Sequence, residues 1–529
     1  MTRAWCEVTA MAKRPILLFM VFVVGYVLLI SRYVDASAGG ADSSGYLSFG
    51  RLLASGRIFA AERTVPGYSL PNEQAFFYCP LGFRPAPPGK GLVSNYPPGL
   101  PLMFAIASKL VGWERGALLV MLGNSALAIA LMVAFGRLMG LSAIGTACAT
   151  AVLAASPITL AFSVQPLSDV PSMTWVLLAV VLAFRPKGHS LFNALAGAAF
   201  GIAFLIRPTC VLILPTLIAL YLLPTLLEKS NNSASRLSVL IAPAVRIAWF
   251  ALGAAPILLA NCVFASRAYG HPFSTSYGDS GFLFSWRYII PSLLNLLRNI
   301  PLQFSPLALI APACVFLRRL DLRQKVAVVG PVLFYFGFYA SYSGTSEHWW
   351  SLRFILPVAP MLIAGGTLAF ENLVAPLFRR LMVYILPREQ PNTLTNRFAL
   401  GGAVVFLAAF AMYVAELNHS SRFMSWGRAD GEYRVAAEKI QALIPANSIC
   451  LCMQTSGSLY YYTNLILIRS DEFDSERATS FFGWARKSGS PVYAALFGWE
   501  EGQVWSLPIS GAWRLVTRSG PVAIWKWDP

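Results

Sequence analysis

Charge is what this sequence has least of. Only 12% of its 529 residues are Asp, Glu, Lys or Arg, and His occurs four times, whereas soluble domains carry about 25% charged residues. Hydrophobic residues make up 56% and the mean hydropathy is +0.59. An ordinary water-soluble enzyme is thereby excluded, because the apolar runs reach bilayer-spanning length and no soluble core hides them. Nucleotide and metal motifs are missing too. The chain has no G-x-x-x-x-G-K-[ST], no G-x-G-x-x-G after a strand, no H-E-x-x-H and no Cys/His set with zinc spacing. Nucleotide chemistry on a cytoplasmic face therefore lacks a site. Of eight cysteines, Cys148, Cys210, Cys262 and Cys314 fall in or beside apolar runs and behave as small hydrophobes. Cys450 and Cys452 form only a C-x-C, and a disulfide from either to Cys79 requires an oxidising compartment; that pairing stays open.

What is present is a basic excess: 41 Lys and Arg against 24 Asp and Glu, a formal charge of +17. These cations stand singly or in pairs between apolar runs, the pattern of membrane orientation and not of nucleic-acid binding. The first apolar run, Pro15 to Tyr33, follows Arg3, Lys13 and Arg14 without a clear small-residue cleavage signal, and reads as a retained signal anchor. A window of about 19 residues gives spans near 15–33, 116–136, 142–162, 168–184, 190–206, 208–224, 246–265, 301–317, 326–343, 353–370 and 398–416, so about eleven transmembrane helices are expected. A cytoplasmic N-terminus places Arg137, Arg185 with Lys187, Lys229 with Arg236, Arg318 to Lys325, and Arg379 to Arg397 inside. Residues 34–115, 266–300 and the C-terminal tail then lie outside.

Composition divides the chain into a transmembrane module, 1–416, and a small extracytoplasmic α/β domain, 417–529, where charges return. In that domain Ser448–Met453, Pro491–Phe497 and Val522–Trp527 alternate like strands and Gly431–Leu443 is helical. In the first outer loop, 34–115, Ser43–Ile58 and Tyr96–Leu110 have helical apolar spacing, as does Trp286–Ile300 in the second; all three read as interfacial helices. No internal repeat is visible, which counts against an inverted-repeat transporter.

The ionisable groups near membrane depth gather on one side. Asp42 follows the first span in Gly-Gly-Ala-Asp-Ser-Ser-Gly-Tyr, and Asp169 opens the fourth in Gln-Pro-Leu-Ser-Asp-Val-Pro. The topology brings both to the outer surface, where a carboxylate is the usual group for orienting or deprotonating an acceptor hydroxyl. Each is equally placed to act as a helix N-cap. Arg207 precedes Pro208 at the same level, and Arg353 opens the tenth span in Glu-His-Trp-Trp-Ser-Leu-Arg-Phe. Arginine's planar fork suits phosphate, whereas snorkelling is the plain explanation for Arg207. His348 has the chemistry of an acid or base, Trp349 and Trp350 that of an interfacial belt or a substrate platform, and Arg84, Lys90 and Arg287 are further outer-loop cations.

Taken in order, these pieces resemble the GT-C superfamily of polytopic glycosyltransferases, and within it the group of aminoarabinose transferases, rhizobial galacturonosyltransferases and protein O-mannosyltransferases. The features that carry the resemblance are Asp42 with Tyr46 after it, Tyr96-Pro-Pro-Gly-Leu-Pro, Ser168-Asp-Val-Pro, Ile206-Arg-Pro-Thr, Arg353-Phe-Ile-Leu-Pro and Ser456-Gly-Ser-Leu-Tyr-Tyr-Tyr-Thr. The resemblance implies a GT-C fold and a bacterial inner-membrane enzyme, a sugar donor on a polyprenyl phosphate, and a glycan, lipid or protein acceptor. It implies Asp42 as the catalytic carboxylate, Asp169 as a second acid lining the same cavity, and Tyr46, Tyr96, Arg207, Arg287, His348 and Arg353 on the substrate side. The phosphate falls to Arg353, Arg287 and Arg207 in that order. Ser43 stands where many relatives have a second acid, which weakens the case for a tightly bound divalent metal without removing it. Asn95 precedes Tyr96 where some relatives carry a Lys. Two other classes stand beside the enzyme. A flippase or transporter for a lipid-linked glycan calls for ionisable residues near the midplane, of which the spans carry almost none, and a scaffold has no need of the long first loop.

Overall fold

A computed structural model describes residues 2–70, 76–184, 190–228, 236–277, 280–377 and 391–529, with backbone alone at 2–16, 225–228, 236–240 and 391–399. The expected basic positions Arg185, Lys187, Lys229 and 379–390 lie outside the described residues. Helices dominate. They are α1 (Thr2–Ser31), α2 (Gly40–Ala54), α3 (Gly99–Val111), α4 (Trp113–Leu138), α5 (Ala143–Ala155), α6 (Pro157–Ser163), α7 (Asp169–Phe184), α8 (Ser190–Ile206), α9 (Leu214–Glu228), α10 (Arg236–Tyr269), α11 (Ile289–Gln303), α12 (Pro306–Leu309), α13 (Leu322–Ala340), α14 (Ala359–Ala369) and α15 (Pro391–Ser421). Among the described residues four stretches are long and apolar enough to cross a membrane: Trp113–Leu138, Ile241–Tyr269, Trp349–Leu377 and Leu400–Ser421. Shorter apolar helices cover Leu17–Ser31, Gly99–Val111, Asp169–Phe184, Ser190–Ile206 and Pro208–Pro224. The chain is an integral membrane protein.

Proline sets where the helices depart from the hydropathy reading. The expected span 142–162 is two helices, α5 and α6, bent by 54° at Ser156, whose extended backbone precedes Pro157. The expected span 301–317 is not one helix: α11 ends at Gln303, α12 is a single turn and a 3-10 segment, Ala311–Phe316, follows. Pro301, Pro306 and Pro312 interrupt it, because proline lacks the amide that continues a helix. The two interfacial helices expected in the first loop correspond to α2 and α3, and that expected in the second to α11, which exposes Ile290, Leu294 and Leu297 along one side.

The helical ends separate into two sets. At one end Arg319 reaches the carbonyl of Gly140, Gln324 that of Leu138 at 3.1 Å, and Arg323 those of Leu220 and Ala183 at 3.2 and 2.9 Å. At the other end sit the first loop, with strands β1 (Phe59–Ala60), β2 (Phe83–Pro85) and β3 (Leu92–Ser94) in order β1-β3-β2, and the C-terminal segment. That segment begins with α16 (Trp426–Leu443) and contains α17 (Ser456–Tyr462), α18 (Ser475–Ser488), α19 (Gly498–Trp505) and strands β4 (Ile449–Cys452), β5 (Ile466–Arg469), β6 (Val492–Phe497), β7 (Ala512–Ser519) and β8 (Val522–Asp528). They form one sheet, β5-β4-β6-β8-β7, parallel across β5-β4-β6 and antiparallel beyond. Alternation along β4 sends Cys450 and Cys452 into the layer under α16 and α17, while Leu451 faces the cluster of Phe77 and Phe481. Cys79 packs with Phe49 and Phe83 instead. All three thiols are free, so the disulfide left open by the sequence is absent.

The first loop clasps this C-terminal segment. Arg63 donates to the carbonyls of Thr463 at 2.8 Å and Tyr460 at 3.0 Å, satisfying the end of α17. Arg51 lies 3.4 Å over the ring of Tyr461, and the Ala38 amide donates to the Tyr462 hydroxyl at 2.9 Å.

Candidate functional site

Four elements bring four charged side chains together. Asp42 is the third residue of α2, in the first turn, where the helix dipole favours a carboxylate. Gly39 caps that helix without any side-chain bond, so Asp42 is not its N-cap. Asp169 is the first residue of α7. Arg207 follows α8 in extended backbone because Pro208 comes next. Arg353 sits midway along a ten-residue 3-10 helix, Trp349–Val358, directly ahead of α14; so long a 3-10 run is uncommon and marks a functional or strained segment.

The geometry is closed and shared. Arg353 donates through Nε to Asp169 Oδ1 and through Nη2 to Asp169 Oδ2, both at 3.0 Å, and the same Nη2 reaches Asp42 Oδ2 at 3.0 Å. Arg207 Nη2 donates to Asp169 Oδ1 at 2.9 Å, and its Nη1 to the Arg353 carbonyl at 3.2 Å. The second oxygen of Asp42 accepts from the Tyr96 hydroxyl at 2.6 Å. Burial, then the charge of Asp42, pushes the Tyr96 phenol well up, so it stays protonated and donates. Two carboxylates against two guanidiniums cancel in charge, which is what allows them to be buried together.

Exposure separates the members. The Asp169 side chain is 0% exposed and that of Arg207 8%, against 16% for Arg353 and 38% for Asp42. A cavity of about 430 Å³ opens on Asp42, Ser43, Arg353, Trp350, Trp426 and Asp430. Asp169, expected to line that cavity, does not; it touches it only through Arg353. Arg207 and Arg353, expected to hold a phosphate, already carry Asp169 between them. Arg287 is exposed and donates to the neighbouring Tyr288 hydroxyl at 2.7 Å, with no bond to the four-charge cluster among the described residues. His348 is also set apart: it stacks on Trp350 with centroids 5.2 Å apart and lies 3.8 Å from Glu347. Tyr46 donates to Ser168 at 2.9 Å and packs on Tyr96 at 4.4 Å, bracing the Asp42 turn against the start of α7.

Asp430 is the cavity residue that sequence reasoning passed over. It lies on α16 among Arg428, Glu432 and Arg434, where it reads as one charge of a solvated face. Its Oδ2 accepts from Ser43 Oγ at 2.8 Å, and its carboxylate lies against Gly39, where a Cβ would stand 2.5 Å from Oδ1. Burial, with smaller contributions from Asp35 and Asp42, pushes its pKa up to about 7. Phe162, with its ring 5.0 Å from the Arg353 guanidinium, and Gln165 complete the wall. Tyr277 was missed as well; it feels the charges of Arg207, Asp42 and Arg353. Among the described residues no group of three or more His, Cys, Asp or Glu converges as a metal would require.

No family model and no curated protein matches the sequence. Solved structures do match its shape. ArnT from Cupriavidus metallidurans, in a structure bound to undecaprenyl phosphate, superposes with a TM-score of 0.59 at 17% identity, covering 97% of each chain. The Archaeoglobus fulgidus oligosaccharyltransferase, tethered to an acceptor peptide, gives 0.52 at 14% identity over 92% of this chain and 69% of that one. The mycobacterial arabinofuranosyltransferase AftD gives 0.54 at 12% over 96% of this chain and 41% of its own. All three are GT-C glycosyltransferases, and the chain has the GT-C fold.

Proposed function

We propose that the protein is a glycosyltransferase that moves a sugar from a polyprenyl-phosphate donor to an acceptor hydroxyl or amine at the outer face of the membrane, in a single inverting displacement. The observation that carries this reading is the position of Asp42: a carboxylate on the wall of a cavity, fixed on one oxygen by Tyr96 and on the other by Arg353. Such a group orients an acceptor for attack and stabilises positive charge at the anomeric carbon. Asp169 and Arg207 act behind it as positioning residues, since they hold the Arg353 fork that holds Asp42. Tyr46 and Tyr96 brace the turn. The aromatic walls at Trp350, Trp426 and Phe162 suit the apolar faces of a sugar. That ArnT is described with undecaprenyl phosphate bound supports a lipid-phosphate donor here. With Arg207 and Arg353 neutralised by Asp169 and Asp42 together, the phosphate falls to cations outside the cluster, and a divalent ion remains compatible with the reading. The N-terminus is assigned to the cytoplasm and residues 417–529 to the extracytoplasmic side of the bacterial inner membrane.

The test is mass spectrometry of envelope glycolipids and glycoproteins from cells with the wild-type chain, without it, and with Asp42→Asn. A sugar-sized mass difference that depends on the wild-type chain and is lost in Asp42→Asn, at equal membrane abundance, is the expected result. Full product from Asp42→Asn removes Asp42 from the chemistry. A lipid-linked glycan that changes leaflet without changing mass points to a flippase instead.

A further inference from the structure

The reading above leaves the acceptor's proton without a destination. Both oxygens of Asp42 are occupied by donors, Tyr96 on one and Arg353 on the other, and both oxygens of Asp169 are spent on arginines behind the wall. One carboxylate on the cavity differs. Asp430 takes a single hydrogen bond, from Ser43 to Oδ2, and among the described residues its Oδ1 has no hydrogen-bond partner. Ser43, which holds Asp430, adjoins Asp42 in α2, and the two carboxylates line the same cavity.

We infer that Asp430 is the proton acceptor of the transfer reaction, lent to the cavity by the C-terminal segment, while Asp42 orients the acceptor. This rests on the proposed glycosyl transfer. In the step, the acceptor's O–H or N–H bond breaks and its proton passes to an Asp430 oxygen. The freed electron pair forms the bond to the anomeric carbon. The bond from that carbon to the phosphate oxygen breaks, and its pair leaves with the polyprenyl phosphate. The proton on Asp430 then exchanges with water through the cavity mouth.

The surroundings of Asp430 fit this task. A base works best when its pKa lies near the working pH, and burial holds that of Asp430 near 7. Asp35 precedes α2, Asp42 stands on it and Tyr433 lies on α16 itself, while Arg353 lines the same cavity. The carboxylates favour the protonated form, and Arg353 is already balanced by two acids. Gly39 is the matching half of the arrangement. Its backbone, φ −97° and ψ 153°, is open to any residue, yet a methyl group there meets the Asp430 carboxylate.

The experiment measures kcat/KM against pH in membrane vesicles, following the glycan product that mass spectrometry identifies for the wild-type chain. The wild type is expected to gain activity as pH rises through about 7, with one proton lost. Asp430→Asn, which keeps the Ser43 bond, is expected to lower the rate above neutrality by about 100-fold or more and to flatten the rise. Asp430→Glu restores the rise, and Gly39→Ala reproduces the loss in weaker form. An Asp430→Asn enzyme that is slower at every pH but keeps the rise assigns Asp430 to folding and overturns the inference; so does one with wild-type rates. Infrared titration of the purified wild type and Asp430→Asn proteins tests the carboxyl directly: the difference band must titrate near 7, and its absence overturns the inference whatever the transfer assay gives. Absence of any product from the wild type, by contrast, removes the glycosyltransferase reading itself.

Discussion

Asp42 and Asp169 are the same residue sharing the same nitrogen, Nη2 of Arg353, at the same 3.0 Å, yet they belong to different regions of the molecule. Asp169 has no exposed surface and three charge-assisted contacts, two from Arg353 and one from Arg207. Asp42 is 38% exposed and has a cavity beside it. In the proposed reaction one is a strut and the other a tool, and residue type alone does not distinguish them. What does is whether the remaining lone pairs point at protein or at space. Arg353 is the hinge of the comparison because it belongs to both regions, so its loss is expected to have the largest effect. Arg353→Ala leaves the buried Asp169 carboxylate with Arg207 alone and the Asp42 carboxylate with Tyr96 alone. Transfer should fall by about 100- to 1000-fold and thermal unfolding in detergent should shift by an amount corresponding to about 3–5 kcal/mol. Arg353→Lys keeps the charge but cannot reproduce the fork that spans two carboxylates; recovery of stability without recovery of transfer would sharpen the distinction between strut and tool.

Asp169→Asn breaks the strut alone. It leaves Arg207 and Arg353 buried side by side without their shared anion, at a cost of about 3–5 kcal/mol read from the unfolding midpoint. Asp42→Asn should barely move that midpoint. Equal destabilisation by the two substitutions would show that the regions are not separate after all.

Much of this arrangement was legible in the sequence, and the reason is economy of charge. In a chain with so few ionisable residues, an Asp or Arg bordering an apolar run stands out, and Asp42, Asp169, Arg207 and Arg353 all do. Their pairing was not legible, because 311 residues separate Asp42 from Arg353 and 184 separate Asp169 from it; no local pattern encodes which acid such an arginine chooses. Asp430 was hidden for the opposite reason. It sits on the polar helix α16, where charge is common, and its contact with Gly39 and Ser43 joins positions nearly 390 apart. The break near residue 305 was written in Pro301, Pro306 and Pro312, which a hydropathy average smooths over. Strands β4, β6 and β8 followed from alternation and apolar runs, whereas β7, largely exposed along its length, offered no such pattern.

Asp430 also gives the C-terminal region a pH dependence of its own. Its folded pKa, about 7, lies above the ordinary carboxylate value, so the folded state binds the proton more tightly than the unfolded chain. Its contribution is therefore least unfavourable below the unfolded value and becomes steadily more destabilising as pH rises toward about 7, after which it is constant. The unfolding midpoint of the wild type should fall across that window relative to Asp430→Asn. A difference that grows as pH falls would reverse the sign and contradict the burial of the group.

The smallest expected effect lies at the joint between the two regions. Gly457 in α17 packs so closely on α2 that a Cβ there would overlap Ser44 Oγ and stand 2.7 Å from the Leu81 carbonyl. The backbone carbonyl cannot yield as a side chain can, so Gly457→Ala must push α17 outward, at a cost of about 1–3 kcal/mol for overpacking. Because Arg51, Arg63 and the Ala38 amide all fasten the same short helix, the displacement is shared among them and the joint should hold. Its consequence falls on the cavity: α17 packs on both α2 and α16, so moving it shifts Asp430 relative to Asp42. Transfer should drop by about tenfold, since an ångström of misplacement is costly in a positioned site, while the pH of half-maximal rate stays near 7. Adding Ser44→Ala removes one of the two clashes and should return part of the rate. If it returns none, the Leu81 carbonyl is the whole obstacle to a side chain at position 457.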